Sequence, residues 1–272
     1  MTNFFPVWFI LGSSSILTRI LLPSALALSV VHASQAKDVE TQRTAWTAAV
    51  RAANARDFKV AVEKTDEAVA AGLTTPMIFY HRGRWHFRLG NMTESLRDFD
   101  EYVQRAPQRA NAQWERGITC YYAEEYKAGA KQFADYQEYH DNDVENAVWR
   151  YLCQIQYDGK EKARKAILPI KNDTRVPMME IYKLFRGESN PEKVLRVLGA
   201  SNATEEQAKH EAFDAHLYLA LFYDSENDLK AARKHVDNAV KQFEKGDYMW
   251  AVAVQHQKRL AKRVKRKTDK NE

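Results

Sequence analysis

Residues 76–109 and 110–143 are one 34-residue unit written twice, and a tandem duplication of that length leaves few folds open. Set one under the other, the copies match at Arg82 and Arg116, Gly83 and Gly117, Phe99 and Phe133, and Tyr102 and Tyr136, every pair separated by the same interval. A unit this short cannot bury an apolar face alone and must stack on its neighbours. Glycine in the first half and an aromatic in the second fit two antiparallel helices per unit. The glycines let the paired helices approach closely, and Phe99 and Phe133 fill the space between one unit and the next. No long segment alternates polar and apolar at a period of two, and 10 Gly and 7 Pro in 272 residues are too few to punctuate a many-stranded fold. The fold class is therefore expected to be all-α.

The same frame extends in both directions. Gln42 to Thr75 fits a first unit, with Trp46 near its start, Phe58 opening its second helix, and Ala61 and Ala68 at the small positions. Ala49 stands for the glycine and Thr65 for the aromatic, as suits a terminal repeat. Turns are expected at Arg56-Asp57, Gly90-Asn91 and Glu124-Glu125. A fourth unit runs from Val144 to about Pro177, with Arg150 continuing the Arg82 and Arg116 series and Pro169 closing its second helix early. The period then fails. Two short helices, Met178 to Phe185 and Pro191 to Leu198, are expected, the second capped by Asn190 with proline at its first position. Thr204 reads as the N-cap of a longer helix with Glu205 and Glu206 in its first turn. A fifth unit spans Phe213 to Gly246. A last helix, Asp247 to about Lys265, would cap the exposed end with its polar face outward, and the residues after it should be disordered.

The N-terminal segment, 1–36, is of another kind. Ile20 to Val31 is an apolar run preceded by Arg19 and followed by Val31-His32-Ala33 and Ser34-Gln35-Ala36, with small residues where a signal peptidase cuts. This reads as a secretory signal over 1–36, placing the protein in the periplasm or outside the cell. The alternative is a retained membrane anchor over residues 4–31, which is long enough to span a bilayer. No cysteine precedes Cys120, so lipid attachment to a processed N-terminus is not expected. Of the net charge of +5, the segment from Lys258 onward supplies eight basic residues against two acidic ones, which leaves the rest of the chain near −1. The expected organisation is thus a signal over 1–36, a solenoid over 37–257 and a basic tail over 258–272.

The unit resembles the tetratricopeptide repeat. With Pro76 as its first position, the family's large first-helix residue falls on Phe79, its helix-crossing small residue on Gly83, its second-helix small residue on Ser95, its aromatic on Phe99 and its closing proline on Pro107. The next copy keeps Gly117, Gly129 and Phe133, moves the large residue to Trp114 and has Asp141 in place of the proline. The resemblance implies a right-handed α-solenoid of about five such units with an irregular insertion before the last. It also implies a concave groove lined by Met77, Tyr80, Arg84, Phe87 and Arg88 of the second unit and Asn111, Trp114, Ile118, Tyr121 and Tyr122 of the third. The fifth position reads Trp46, Tyr80, Trp114 and Val148 along the array, a ladder of rings suited to an extended peptide or partner helix, with Arg84 and Arg88 adding charge-assisted contacts. A slip of one residue would instead make Trp46 and Trp114 packing residues between helices. The run from Arg116 to Tyr122, with Tyr126, Ala128, Phe133, Asp141-Asn142-Asp143 and Trp149-Arg150-Tyr151-Leu152, is also similar to bacterial envelope repeat proteins of the NlpI type. That similarity implies an envelope adaptor, often dimeric, that docks wall hydrolases or a processing protease. The chain departs from those proteins in lacking the lipid-attachment cysteine and in its basic end.

No catalytic motif is present: no nucleophile elbow, no phosphate-binding glycine loop and no H-E-x-x-H, and no cofactor or metal is expected. His210-Glu211 is followed by no histidine one turn on, and His216 lies off that face. Cys120 and Cys153, in the first helices of adjacent units, are read as two buried thiols, with a disulfide as the alternative. The basic residues Lys258, Arg259, Lys262, Arg263, Lys265, Arg266 and Lys267 have no interleaved aromatics, which disfavours nucleic acid. An anionic membrane or wall polymer fits them better, as does a plain role in solubility. The function expected from all this is a non-catalytic scaffold or adaptor of the cell envelope that binds a protein or peptide partner. The alternatives are an anchored or homodimeric assembly factor, or an unrecognised cell-wall enzyme.

Overall fold

Left-handed residues recur at the sequence period and set the hairpins. The computed structural model describes residues 25–199, 203–242 and 247–269, so residues 1–24, which hold most of the expected signal, lie outside it. Helix α1 (Ala25–Asn54) begins inside that expected signal and runs on through Trp46. It is followed by α2 (Phe58–Ala70), α3 (Pro76–Leu89), α4 (Met92–Arg105), α5 (Trp114–Tyr122), α6 (Tyr126–Tyr139), α7 (Val144–Asp158) and the short α8 (Lys160–Lys165). Each of these helices packs against those before and after it. Arg56, Gly90 and Glu124, which occupy one equivalent position in three successive units, have φ of 65°, 91° and 65° and end α1, α3 and α5. In each case the amide of that residue donates to the carbonyl three positions back and the next amide to the carbonyl five positions back, as Asn91 N does to His86 O at 2.9 Å. This is the Schellman closure, which satisfies carbonyls that the helix end would otherwise orphan. Asn227 (φ 62°) repeats it once more.

The glycines act where the hairpin helices cross. Ser95 Oγ donates to Gly83 O at 2.7 Å, and a Cβ on Gly83 would come no closer than 3.3 Å to its neighbours. Gly117 is tighter, since a Cβ there would lie 2.6 Å from Phe133 Cζ. At Gly129 it would meet Cys153 Sγ at 2.8 Å and Cys120 Cβ at 3.1 Å, so both cysteines pack against this one glycine. Both thiols are free and buried, and burial pushes the Cys120 thiol up to about 11.

The arginine series ties hairpin to hairpin. Arg82 donates to both carboxylate oxygens of Asp98, at 2.8 and 2.6 Å, and reaches back to Asp66 at 2.7 Å. Arg116 bonds Gln132 (3.0 Å) and Asp100 (2.7 Å). Arg150 donates to the Ala166 carbonyl. All three thus reach a partner in the second helix of their own hairpin or just past it, and the first two also reach one in the preceding hairpin.

After α8 the regularity ends, as the sequence indicates. Residues 166–177 hold no helix and are pinned by Arg175, which pairs with Asp143, Glu145 and Asp173 at 2.6 to 2.7 Å. Then come α9 (Met178–Arg186), α10 (Pro191–Arg196), α11 (Glu205–Ser225), α12 (Leu229–Gln242) and α13 (Tyr248–Thr268). Asn190 caps α10, and Thr204 with Gln207 forms a capping box on α11. Among the described residues there are 13 α-helices and no strand.

One expectation fails at the C-terminus. Helix α13 does not sit at the end of the array with its polar face outward; it packs on α12 and returns to lie against α3. Residues 265–268 are helical rather than disordered, and the basic segment from Lys258 belongs to this helix, with Leu260 fully buried. The cause is an apolar stripe of Tyr248, Ala251, Val252, His256 and Leu260 at helical spacing, which has to be covered.

Gly117→Ala is expected to cost about 1–3 kcal/mol, because the buried Phe133 ring must move, whereas Gly83→Ala should stay within about 1 kcal/mol as gained helix propensity offsets tight 3.3 Å contacts to Asp98 Cβ and Ser95 O that need a shift of a few tenths of an ångström. Asp98→Ala, which leaves Arg82 only the exposed Asp66, should cost about 1.5–3 kcal/mol. Urea unfolding of the three variants, followed by circular dichroism, checks both statements.

Candidate functional site: the face of the first helices and the helix that covers it

The residues expected to line a groove lie on α1, α3 and α5, and α13 covers part of that face. Tyr248 stacks on Phe87 at 4.9 Å between ring centroids and meets Trp114 edge-on at 5.3 Å. Gln255 Nε2 donates to Arg88 O at 2.9 Å, and the Arg259 guanidinium sits 5.1 Å over the Tyr121 ring. Phe87, Ile118, Tyr121 and Tyr122 are consequently core, with exposures of 0, 1, 2 and 9 %. Their assignment to an open groove is corrected: the chain's own last helix occupies the place in which a partner was expected.

Of the other groove residues, Met77 and Asn111 are exposed, while Trp46, Tyr80, Arg84, Arg88 and Trp114 are half-buried and mostly engaged internally. Trp46 stacks on Trp85 at 5.9 Å. Tyr80 donates to Glu115 at 2.7 Å, and Arg84 lies between the Tyr80 and Tyr248 rings at 5.5 and 5.1 Å. Arg88 covers the Phe58 ring at 5.1 Å. Val148 is fully buried. Around Trp114 the face stays open, at a pocket of about 370 Å³ bounded by Arg84, Trp114, Tyr136, Asn146, Trp149 and the first turn of α13, and a second pocket of about 360 Å³ lies on it beside Phe58, His81, Trp85 and Arg88. Trp149 Nε1 and Asn146 Oδ1 are buried there with no hydrogen-bond partner among the described residues. Such groups are costly to leave unpaired.

Tyr136, Asn146, Trp149 and Tyr248 were not singled out as site residues from the sequence. Tyr136 repeats Tyr102 of the preceding unit, which marks it as structural, and Tyr248 enters only because α13 folds back. The basic residues divide. Lys258, Lys262, Lys265 and Arg266 are exposed, while Arg259 and Arg263 are partly buried and bonded, Arg263 to Asp224. The Lys267 side chain lies outside the described residues. His210 is exposed on α11, and His216 Nδ1 meets His235 Nδ1 at 2.9 Å. Among the described residues no group of three metal-binding side chains occurs, and no helix is long and apolar enough to cross a membrane. No protein-family model matches the chain.

His256 lies on the inner side of α13, its ring 6.3 Å from that of Tyr122. It is fully buried, neither ring nitrogen has a hydrogen-bond partner among the described residues, and the nearest carboxylate, Asp224, is 3.9 Å away. Burial pushes its pKa down to about 4; Asp224 opposes this while Arg259 and Arg263 reinforce it. Burial also lowers His81, His86, His216 and His235. The unfolded chain, with histidines near 6.5, binds more protons than the folded one below that pH, so stability present at neutral pH is lost as pH falls towards 4. His256 alone accounts for on the order of 3 kcal/mol of this loss. Urea midpoints of wild type and His256→Leu between pH 7 and 4 are expected to diverge from the acid side, the variant losing less; parallel profiles would show that this histidine is not buried neutral.

Proposed function

We propose that the protein is a non-catalytic binding scaffold of the cell envelope, built as a tetratricopeptide-like solenoid of about five hairpins, which takes a protein or peptide segment at the Trp114 pocket. The regular recurrence of the Schellman turns and of the arginine bridges supports the repeat reading. The export half of the proposal rests on the apolar run before Ser34.

The observation that carries the binding reading is the Trp114 pocket itself, a stretch of the first-helix face that α13 leaves open and that Trp114, Tyr136 and Trp149 help to line. Trp114 and Tyr136 offer a peptide segment ring surface at low entropy cost. The groove is thereby reduced to its central part. Its former flanks, Phe87, Tyr121 and Tyr122, hold α13 instead.

A photo-crosslinking phenylalanine analogue placed at position 114 in whole cells should capture a discrete partner, and the same analogue at the exposed Tyr139 should not. Trp114→Ala combined with Tyr136→Ala should then weaken the captured pair by roughly tenfold or more, with helicity unchanged. Wild-type affinity in that double variant would sink the proposal.

A further inference from the structure

A second cleft, of about 750 Å³, lies at the other end of α13, between its basic face and the turns that close the hairpins. It shares no residue with the Trp114 pocket, so its fate is independent of the scaffold reading. We propose that this cleft binds a phosphate-rich anion.

Charge and geometry point the same way. Lys258, Lys262 and Arg266 line the cleft at successive turns of the helix, a row about 12 Å long on one side of it. All three are exposed, and among the described residues no carboxylate comes within ion-pair distance of them. The other cations of the cleft are already fixed in place: Arg259 against the Tyr121 ring, Arg263 on Asp224, and Lys160 on Glu226 at 2.7 Å. The buried Asp224 is thus neutralised from within, and Glu124 stands at the rim, 70 % exposed and 3.9 Å from Arg259. Like charges one turn apart on a helix repel, so the row costs stability until an anion lies along it. A single carboxylate would answer one cation. Three of them over this length need a ligand with several charges at close spacing, which is the chemistry of linked or clustered phosphates. The recess is walled by Gly90, Met92 and Ile155 as well as by α13, and suits an enclosed polyanion better than a flat sheet of charge.

Such phosphates can come from a soluble polyphosphorylated molecule or from lipid headgroups, and the test separates the two. Full-length protein is titrated calorimetrically with inorganic tripolyphosphate at about 0.15 M salt, where loose surface attraction is largely screened. In parallel it is sedimented with vesicles of phosphatidylglycerol in phosphatidylcholine and of phosphatidylcholine alone. Saturable binding of tripolyphosphate is expected, weakened roughly 100-fold in Lys258→Glu/Lys262→Glu/Arg266→Glu and less than about threefold in Lys59→Glu/Arg109→Glu/Lys241→Glu, which carries the same charge change on other exposed helices. Binding only to the anionic vesicles, lost in the first triple variant alone, would keep the site and assign its phosphates to lipid. Binding to neither probe, or equal losses in both triple variants, would overturn the proposal.

Discussion

The contact between α13 and the first-helix face is the constraint on which the functional surface depends. Phe87 and Tyr248 stack at 4.9 Å, Trp114 abuts the same tyrosine, and Tyr121 receives the Arg259 guanidinium. A repeat array with an apolar inner face has to cover it. Here the cover is supplied by the chain itself, with no loss of association entropy, and the Trp114 pocket and the basic cleft are bounded by the first turn and the C-terminal half of α13. Helix α13 is therefore part of the site as much as part of the core.

Two further devices hold the array that α13 closes. The Schellman turns at Arg56, Gly90 and Glu124 fix how one helix reverses into the next, and two of the three adopt left-handed backbone without glycine. The close approach this allows is then locked by Arg82 and Arg116, whose forks bond the second helix of their own hairpin and that of the hairpin before. Arg150 finds only a carbonyl ahead of it and no acid behind, and it is there, after α8, that the regular stacking stops. Arg175 takes over, joining the irregular segment to Asp143 and Glu145 at the start of α7.

Much of the helical layout was legible before any coordinates. The turns, the second helix opening at Phe58, the glycine crossings, the short helices after Met178 and the caps at Asn190 and Thr204 are local features, set by backbone preferences and by periodic positions no further apart than one repeat. The groove residues fared less well. Phe87, Tyr121 and Tyr122 occupy positions that a repeat array exposes on its inner face, and nothing within the repeats themselves says that a much later helix returns to cover them. The hint lay near the C-terminus: an apolar stripe from Tyr248 to Leu260 is too continuous for a helix that merely finishes the array.

What the sequence by itself determined is the all-helical class, because few glycines and prolines and no period-two alternation leave no pattern for strands. What only the tertiary structure decided is which of the aromatics meet solvent. Long-range packing chooses among several apolar faces of equal local merit, and pairing α13 with α3 and α5, rather than leaving it at the end of the array, goes with burial of four of the ten groove residues expected in the second and third units and leaves Trp114 with an open neighbourhood. The same choice turned a run of basic residues that reads as a tail into one wall of a cleft.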